Sequence, residues 1–145
     1  MKALLDTNIL AELVKPKGNP AVHAALAEIP TPNLFLSVLT LGEIVKGIAL
    51  LPAGQKKKHL TKWLAGIESD YGERVLPLDS ETARIWGELT ARAQKKGVII
   101  PPTDGLLAAT ALRHGLHVMT RNTKHFEASG ALVVDPWMDS ETEIS

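Results

Sequence analysis

The stretch Lys2-Ala3-Leu4-Leu5-Asp6-Thr7-Asn8-Ile9-Leu10 carries an apolar run that stops on a carboxylate, then resumes at helical spacing through Leu13 and Val14. It predicts a short buried strand, a tight turn and a helix. The same grammar recurs along the chain. Pro20 sits at a favoured first-turn position for a helix carrying Val22, Ala25, Leu26 and Ile29, and Pro30 and Pro32 end it. Leu34-Phe35-Leu36 is a strand candidate. Thr40-Leu41-Gly42-Glu43 then matches a capping box, which predicts Glu43 in the first turn of a helix running toward Leu51. Gln55 to Ser69 has helical spacing with basic first turns, and Val75-Leu76-Pro77-Leu78 is extended.

Asp79 or Ser80 can cap a long helix that stops at Lys95-Lys96-Gly97. After Val98-Ile99-Ile100 and Pro101-Pro102, Thr103 or a neighbour caps a helix ending at Gly115. His117 to Thr120 reads as a buried strand, Arg121 to Glu127 as a loop with a short helical turn, and Ala131 to Val134 as a last strand. Strands separated by helices, with no hairpin dipeptide between them, predict an α/β fold. A mostly parallel central sheet is flanked by helices in a single domain.

The 145 residues hold 16 Lys and Arg, 16 Asp and Glu, and no Cys. One core can be filled without disulfides, and thiolate chemistry, cysteine zinc sites and iron–sulfur ligation are excluded. A metal would have to use oxygen or imidazole. No apolar stretch approaches the roughly 18 residues of a membrane span, so a cytoplasmic protein with no membrane contact is expected. The charges are unevenly placed: residues 1–134 hold 16 basic and 12 acidic side chains, and 135–145 hold four acids and no base. We therefore expect a domain over 1–137 and an acidic tail over 138–145 that frays. Any polyanion binding must come from a local patch, because the formal net charge is zero.

In open parallel sheets the ligand crevice lies outside the carboxyl ends of the strands. Asp6, Glu43, Asp104 and Asn122 all fall at strand ends or following helix starts. Each has a local alternative: Asp6 as a turn residue, Glu43 as half of a capping box, Asp104 as a first-turn acid favoured by the helix dipole, Asn122 as an ordinary turn former. Three carboxylates gathered at one edge would repel each other unless a cation intervenes, and magnesium or manganese suits oxygen ligands. Such an ion acidifies water and neutralises charge developing on a phosphate. Thr120 can hydrogen-bond a ligating carboxylate, Asn122 can hold a metal-bound water, and Arg121 can grip phosphate or stay solvated.

The five histidines form no ligand pattern and read as surface or core-edge residues. Glycine-rich nucleotide loops and a Gly-x-Ser-x-Gly elbow are absent from the sequence. Lys56, Lys57, Lys58, His59 and Lys62 read as a solvated helix face, with RNA contact as the alternative. Trp63, Trp86 and Trp137 read as core or interface residues.

LLDTN at 4–8, LTLGEIVKGIALL at 39–51, IPPTDGLLAATALRHGL at 100–116, VMTRNTKHF at 118–126 and VVDPW at 133–137 follow one another in a familiar order. The ordered set resembles the PIN-domain ribonucleases, specifically VapC and FitB-like toxins of toxin–antitoxin pairs. The resemblance implies that Asp6, Glu43 and Asp104 are metal-binding acids. Asn122 stands where some members carry a fourth acid, which lowers the negative charge available for a second ion. It also implies Mg2+- or Mn2+-dependent endoribonuclease activity on an RNA substrate, a homodimer, and a small antitoxin partner through which operator DNA is bound. Protein contact then competes with RNA contact at Lys56 to Lys62. Two other functions stay open: a metal-dependent nuclease of DNA or of structured substrates, and a non-catalytic protein- or operator-binding partner.

Overall fold

The structure, a computed structural model, describes residues 1–138. Of the acidic tail expected to fray, 138–145, all but Met138 lies outside the described residues. Among the described residues five strands, β1 (Ala3–Leu5), β2 (Leu34–Ser37), β3 (Val75–Leu76), β4 (His117–Met119) and β5 (Val133–Val134), pair in the order β3-β2-β1-β4-β5. All four pairings are parallel. The helices that connect them are α1 (Thr7–Val14), α2 (Pro20–Ala27), α3 (Val38–Ala49), α4 (Gln55–Tyr71), α5 (Ser80–Lys95) and α6 (Pro102–His114).

Alternation along the central strands divides the core in two, because successive side chains of a strand point to opposite faces. Leu4 and Val118 face one layer with Leu89, Ala93, Leu107, Ala108 and Phe126 from α5, α6 and the 3-10 turn at 123–129. Ala3, Leu5 and Met119 face the other with Ile9, Leu10, Val22 and Leu26 from α1 and α2. Ala3, Leu4 and Leu5 are fully buried, which is why β1 reads as a continuous apolar run.

The chain winds outward from β1 to β2 and β3, then crosses through α5 and α6 to β4 on β1's other side. The order of strands reverses at β1, and a topological switch point of this kind opens a crevice at the carboxyl ends of the strands. Asp6 stands there, its N–H donating to the Met119 carbonyl of β4 at 3.0 Å.

Two helix starts differ from the sequence expectation. β2 ends on Ser37, whose hydroxyl accepts from the Leu39 N–H at 3.1 Å and caps α3. The Thr40–Glu43 capping box therefore does not form, and Glu43 lies in the second turn. At α6 the cap position is Pro101 and no side chain caps it. Pro102 supplies the rigid φ of the first helical residue, Thr103 lies inside the helix, and Asp104 sits in the first turn.

Candidate active site

Asp6 does two jobs with one carboxylate. As the N-cap of α1 it accepts the Thr7 N–H on Oδ1 at 2.7 Å. Its other oxygen accepts the Thr120 hydroxyl at 2.8 Å and the Asn8 Nδ2 amide at 3.3 Å. An ionised carboxylate offers about four lone-pair sites, so this one, only 7% exposed and already accepting three bonds, keeps room for one further partner. Thr120 is saturated. While donating to Asp6, its oxygen accepts from Asn8 Nδ2 at 3.2 Å and from the Asn122 backbone N–H at 3.0 Å. Asn8 completes the knot by accepting the Arg121 N–H at 3.2 Å.

Glu43 and Asp104 reach the rim from either side of the sheet. Glu43 is exposed, and its Oε1 accepts the Thr7 hydroxyl at 2.7 Å, which ties α3 to the first residue of α1. Asp104 is partly buried at the positive end of α6, a location that favours its negative charge. Its Oδ2 lies 2.9 Å from His125 Nδ1. Burial pushes the Asp6 carboxyl above its usual range, and the charges of Asp104 and Glu43 push the same way. The bonds from Thr120 and Thr7 oppose the rise.

The structure thus draws Asp6, Glu43, Asp104 and Thr120 to one rim, with the Asn122 backbone N–H bound to the Thr120 hydroxyl and the Asn122 side chain exposed. The acids do not form a ready-made cage: among the described residues, no three His, Asp or Glu side chains are grouped closely enough to hold an ion. Each of the three has an oxygen engaged by Thr7 or His125. The donor set is nonetheless one that suits a hard cation. It is all carboxylate and amide oxygen, and no lysine or arginine among the described residues forms an ion pair with any of the three acids.

Sequence reasoning missed Thr7 and His125. His125 has a half-exposed ring, as a surface histidine would, yet it touches Asp104. The available signal was its place in the loop after β4, which begins at the rim. Phe126, fully buried, anchors that loop. Beside Glu43 lies an apolar groove of about 210 Å³, lined by Thr7, Ala11, Ile44, Leu60 and Trp63 among others. The basic cluster lies at the start of α4: Lys56, Lys58 and Lys62 are exposed, and Lys57 donates to the Leu51 carbonyl at 3.2 Å.

An all-parallel sheet with acids at its switch point is the frame in which known proteins match this chain. The chain belongs to the PIN domain family, which matches residues 3–131. Within that family it is homologous to VapC and FitB-like toxin components. It is 38% identical to VapC ribonuclease Y4jK of Sinorhizobium fredii over 92% of this chain and 96% of the relative. It is also 38% identical to Toxin FitB of Neisseria gonorrhoeae over 94% of this chain and 99% of the relative. The solved structure of FitAB bound to an IR36 DNA fragment superposes with a TM-score of 0.89 at 36% identity, covering 93% of this chain and 95% of the other. Among the described residues no helix is long and apolar enough to cross a membrane.

Proposed function

We propose that this protein is a Mg2+- or Mn2+-dependent endoribonuclease, the toxin of a toxin–antitoxin pair. One observation carries the proposal: the Asp6 carboxylate is buried at the switch point, fixed by three donors, and set in the repulsive field of Asp104 and Glu43. Cap formation alone does not call for two more acids nearby. A hard divalent cation does.

Asp6, Glu43 and Asp104 would hold that ion directly or through water, with Asn122 and Thr120 ordering the outer side of the site. When bound, the ion supplies charge neutralisation at a phosphate and a water of lowered pKa. The chain's own residues supply position. Thr120 and the Thr7 N–H hold the Asp6 carboxylate in one orientation, His125 steadies Asp104, and the Thr7 hydroxyl brings Glu43 toward the same rim. No side chain is assigned as an obligatory general base. The products are a 5′-phosphate and a 3′-hydroxyl.

A small antitoxin partner and a homodimer complete the proposal, supported by the likeness to Toxin FitB and to FitAB on DNA. The same likeness favours a second reading, in which the nucleic acid contacted is DNA, as operator or as substrate. Incubating the protein with matched single-stranded RNA and DNA, with and without Mg2+, separates them. Metal-dependent cutting of RNA that Asp6→Asn abolishes is the expected result. Cutting of DNA alone would transfer the site to the second reading, and equal cleavage by a folded Asp6→Asn protein would remove Asp6 from the chemistry.

A further inference from the structure

Arg121 follows Thr120 at the end of β4, and Trp137 follows β5, the next strand out, so both stand on the rim on the side of Asp6 away from Glu43. The Arg121 guanidinium lies over the Trp137 ring, 5.0 Å from its centroid. The backbone is anchored at both residues of this pair. The Arg121 N–H donates to Asn8 Oδ1, and Asn8 in turn donates to Asp6, so the platform is two hydrogen bonds from the Asp6 carboxylate. Trp137 is half-buried against the core, and its N–H donates to Asp135 Oδ1 at 2.9 Å, which locks the turn that presents it. Arg121 itself is exposed.

Resting on the endoribonuclease reading above, we propose that the Arg121 guanidinium, placed over Trp137, is a subsite that stacks a nucleobase of the RNA strand lying along the acidic rim. Guanidinium planes and aromatic rings are the surfaces on which unstacked RNA bases are held. A base fits better than a phosphate here. Glu12, itself paired with Lys15 at 3.1 Å, lies near enough for the Arg121 charge to act on its carboxyl, so part of that charge is already balanced. The indole lies on one side of the guanidinium. What a ligand meets is the planar guanidinium more than a free point charge. Because every base has a π-face, the subsite reads the presence of a base and tolerates its identity.

The test measures binding of a short fluorescein-labelled single-stranded oligoribonucleotide, and of copies carrying one abasic residue at successive positions, by anisotropy in Mg2+. The Asp6→Asn protein is used so that the strand stays intact. We expect one abasic position to weaken binding about tenfold, the scale of a single stacked base. Adding Arg121→Ala should weaken binding of the intact strand by a similar factor and flatten the abasic series. Arg121→Lys should behave like Arg121→Ala. Full recovery with lysine would mean a phosphate contact and overturn the subsite, as would an abasic series unchanged by Arg121→Ala or no RNA binding at all. If the wild type cleaves no RNA while the Arg121-dependent abasic effect is present, the endoribonuclease reading fails and the subsite stands.

Discussion

Asp6 and Asp79 have the same local task. Each follows an extended segment and caps the next helix, Asp6 for α1 and Asp79 for α5, where Asp79 accepts the Thr82 N–H at 2.8 Å and the Thr82 hydroxyl at 2.7 Å. Their surroundings are opposite. Asp79 lies near the C-terminal end of α6, where Arg113 comes within 3.8 Å, and its carboxyl is held below the usual range, chiefly by the Thr82 bonds and less by Arg113 and His114. Asp6 faces Asp104 at the N-terminal end of the same helix, and its carboxyl is pushed up by burial and by neighbouring acids. One cap is electrostatically content and the other is frustrated. Helix capping explains Asp79 fully, and it leaves the burial of Asp6 among like charges to be explained by something the acids hold in common.

That contrast breaks most visibly at the level of activity. Asp6→Asn keeps a good N-cap and removes the charge, so RNA cleavage should fall by at least about a hundredfold, the scale of losing one preorganised electrostatic contact. Melting temperature in chelator should hold or rise, because repulsion with Asp104 and Glu43 is relieved. Asp79→Asn should leave cleavage unchanged. Equal losses in the two variants would erase the distinction.

The next effect is on stability. Thr120→Val removes the donor to Asp6 and the acceptor for Asn8 Nδ2 and the Asn122 N–H at once. Stranding buried or half-buried groups in this way should cost about 1–3 kcal/mol in denaturant unfolding, and Thr120→Ser should recover most of it. A valine variant as stable as wild type would mean the knot relaxes around the loss.

How far these features could be read from sequence depends on distance along the chain. Runs such as Ala3-Leu4-Leu5 and Val118-Met119, each ending on a polar residue, announce buried parallel strands and put Asp6 and Thr120 at strand ends. The start of α3 is ambiguous in the sequence because two capping signals overlap. Thr40 and Glu43 fit a capping box, but Ser37 lies at the end of β2 and its hydroxyl reaches Leu39 first. The outcome leaves the Thr40 hydroxyl buried without a partner among the described residues and frees Glu43 to meet Thr7. Contacts that join residues 36 apart, as Thr7 to Glu43, or 21 apart, as Asp104 to His125, have no local signature. They follow from packing, which a single sequence encodes only through the whole fold.

Acidity should separate the two caps by sign. Asp6 has a raised folded pKa, so its favourable contribution is fully present below the unfolded value and is lost as pH rises through the folded value. Asp79 has a lowered one, so its contribution is present above the unfolded value and is lost as pH falls through the folded value. With chelator present, stability measured from neutral pH into the acid range should show Asp6→Asn gaining on the wild type toward neutrality, and Asp79→Asn losing on it over the same range. Parallel curves for the two variants would show that the Asp6 environment carries no penalty in solution.

The smallest effect expected is at His125. Its ring is half-exposed, and a contact to a half-exposed partner at the surface contributes little to stability, so His125→Ala should cost no more than about 0.5 kcal/mol. Its consequence for Asp104 is separable from that cost. Without the Nδ1 contact the Asp104 carboxylate turns freely at the end of α6, and a ligand that must be ordered on binding weakens the site by the entropy of ordering it. Titrating Mn2+ into wild type and His125→Ala should therefore show affinity falling several-fold while the melting temperature in chelator barely moves. His125→Asn, which retains a side-chain donor, should recover part of the loss. A metal affinity unchanged in all three proteins would reduce the Asp104–His125 contact to a surface interaction, and the frustrated end of α6 would then rest on Asp6 and Glu43 alone.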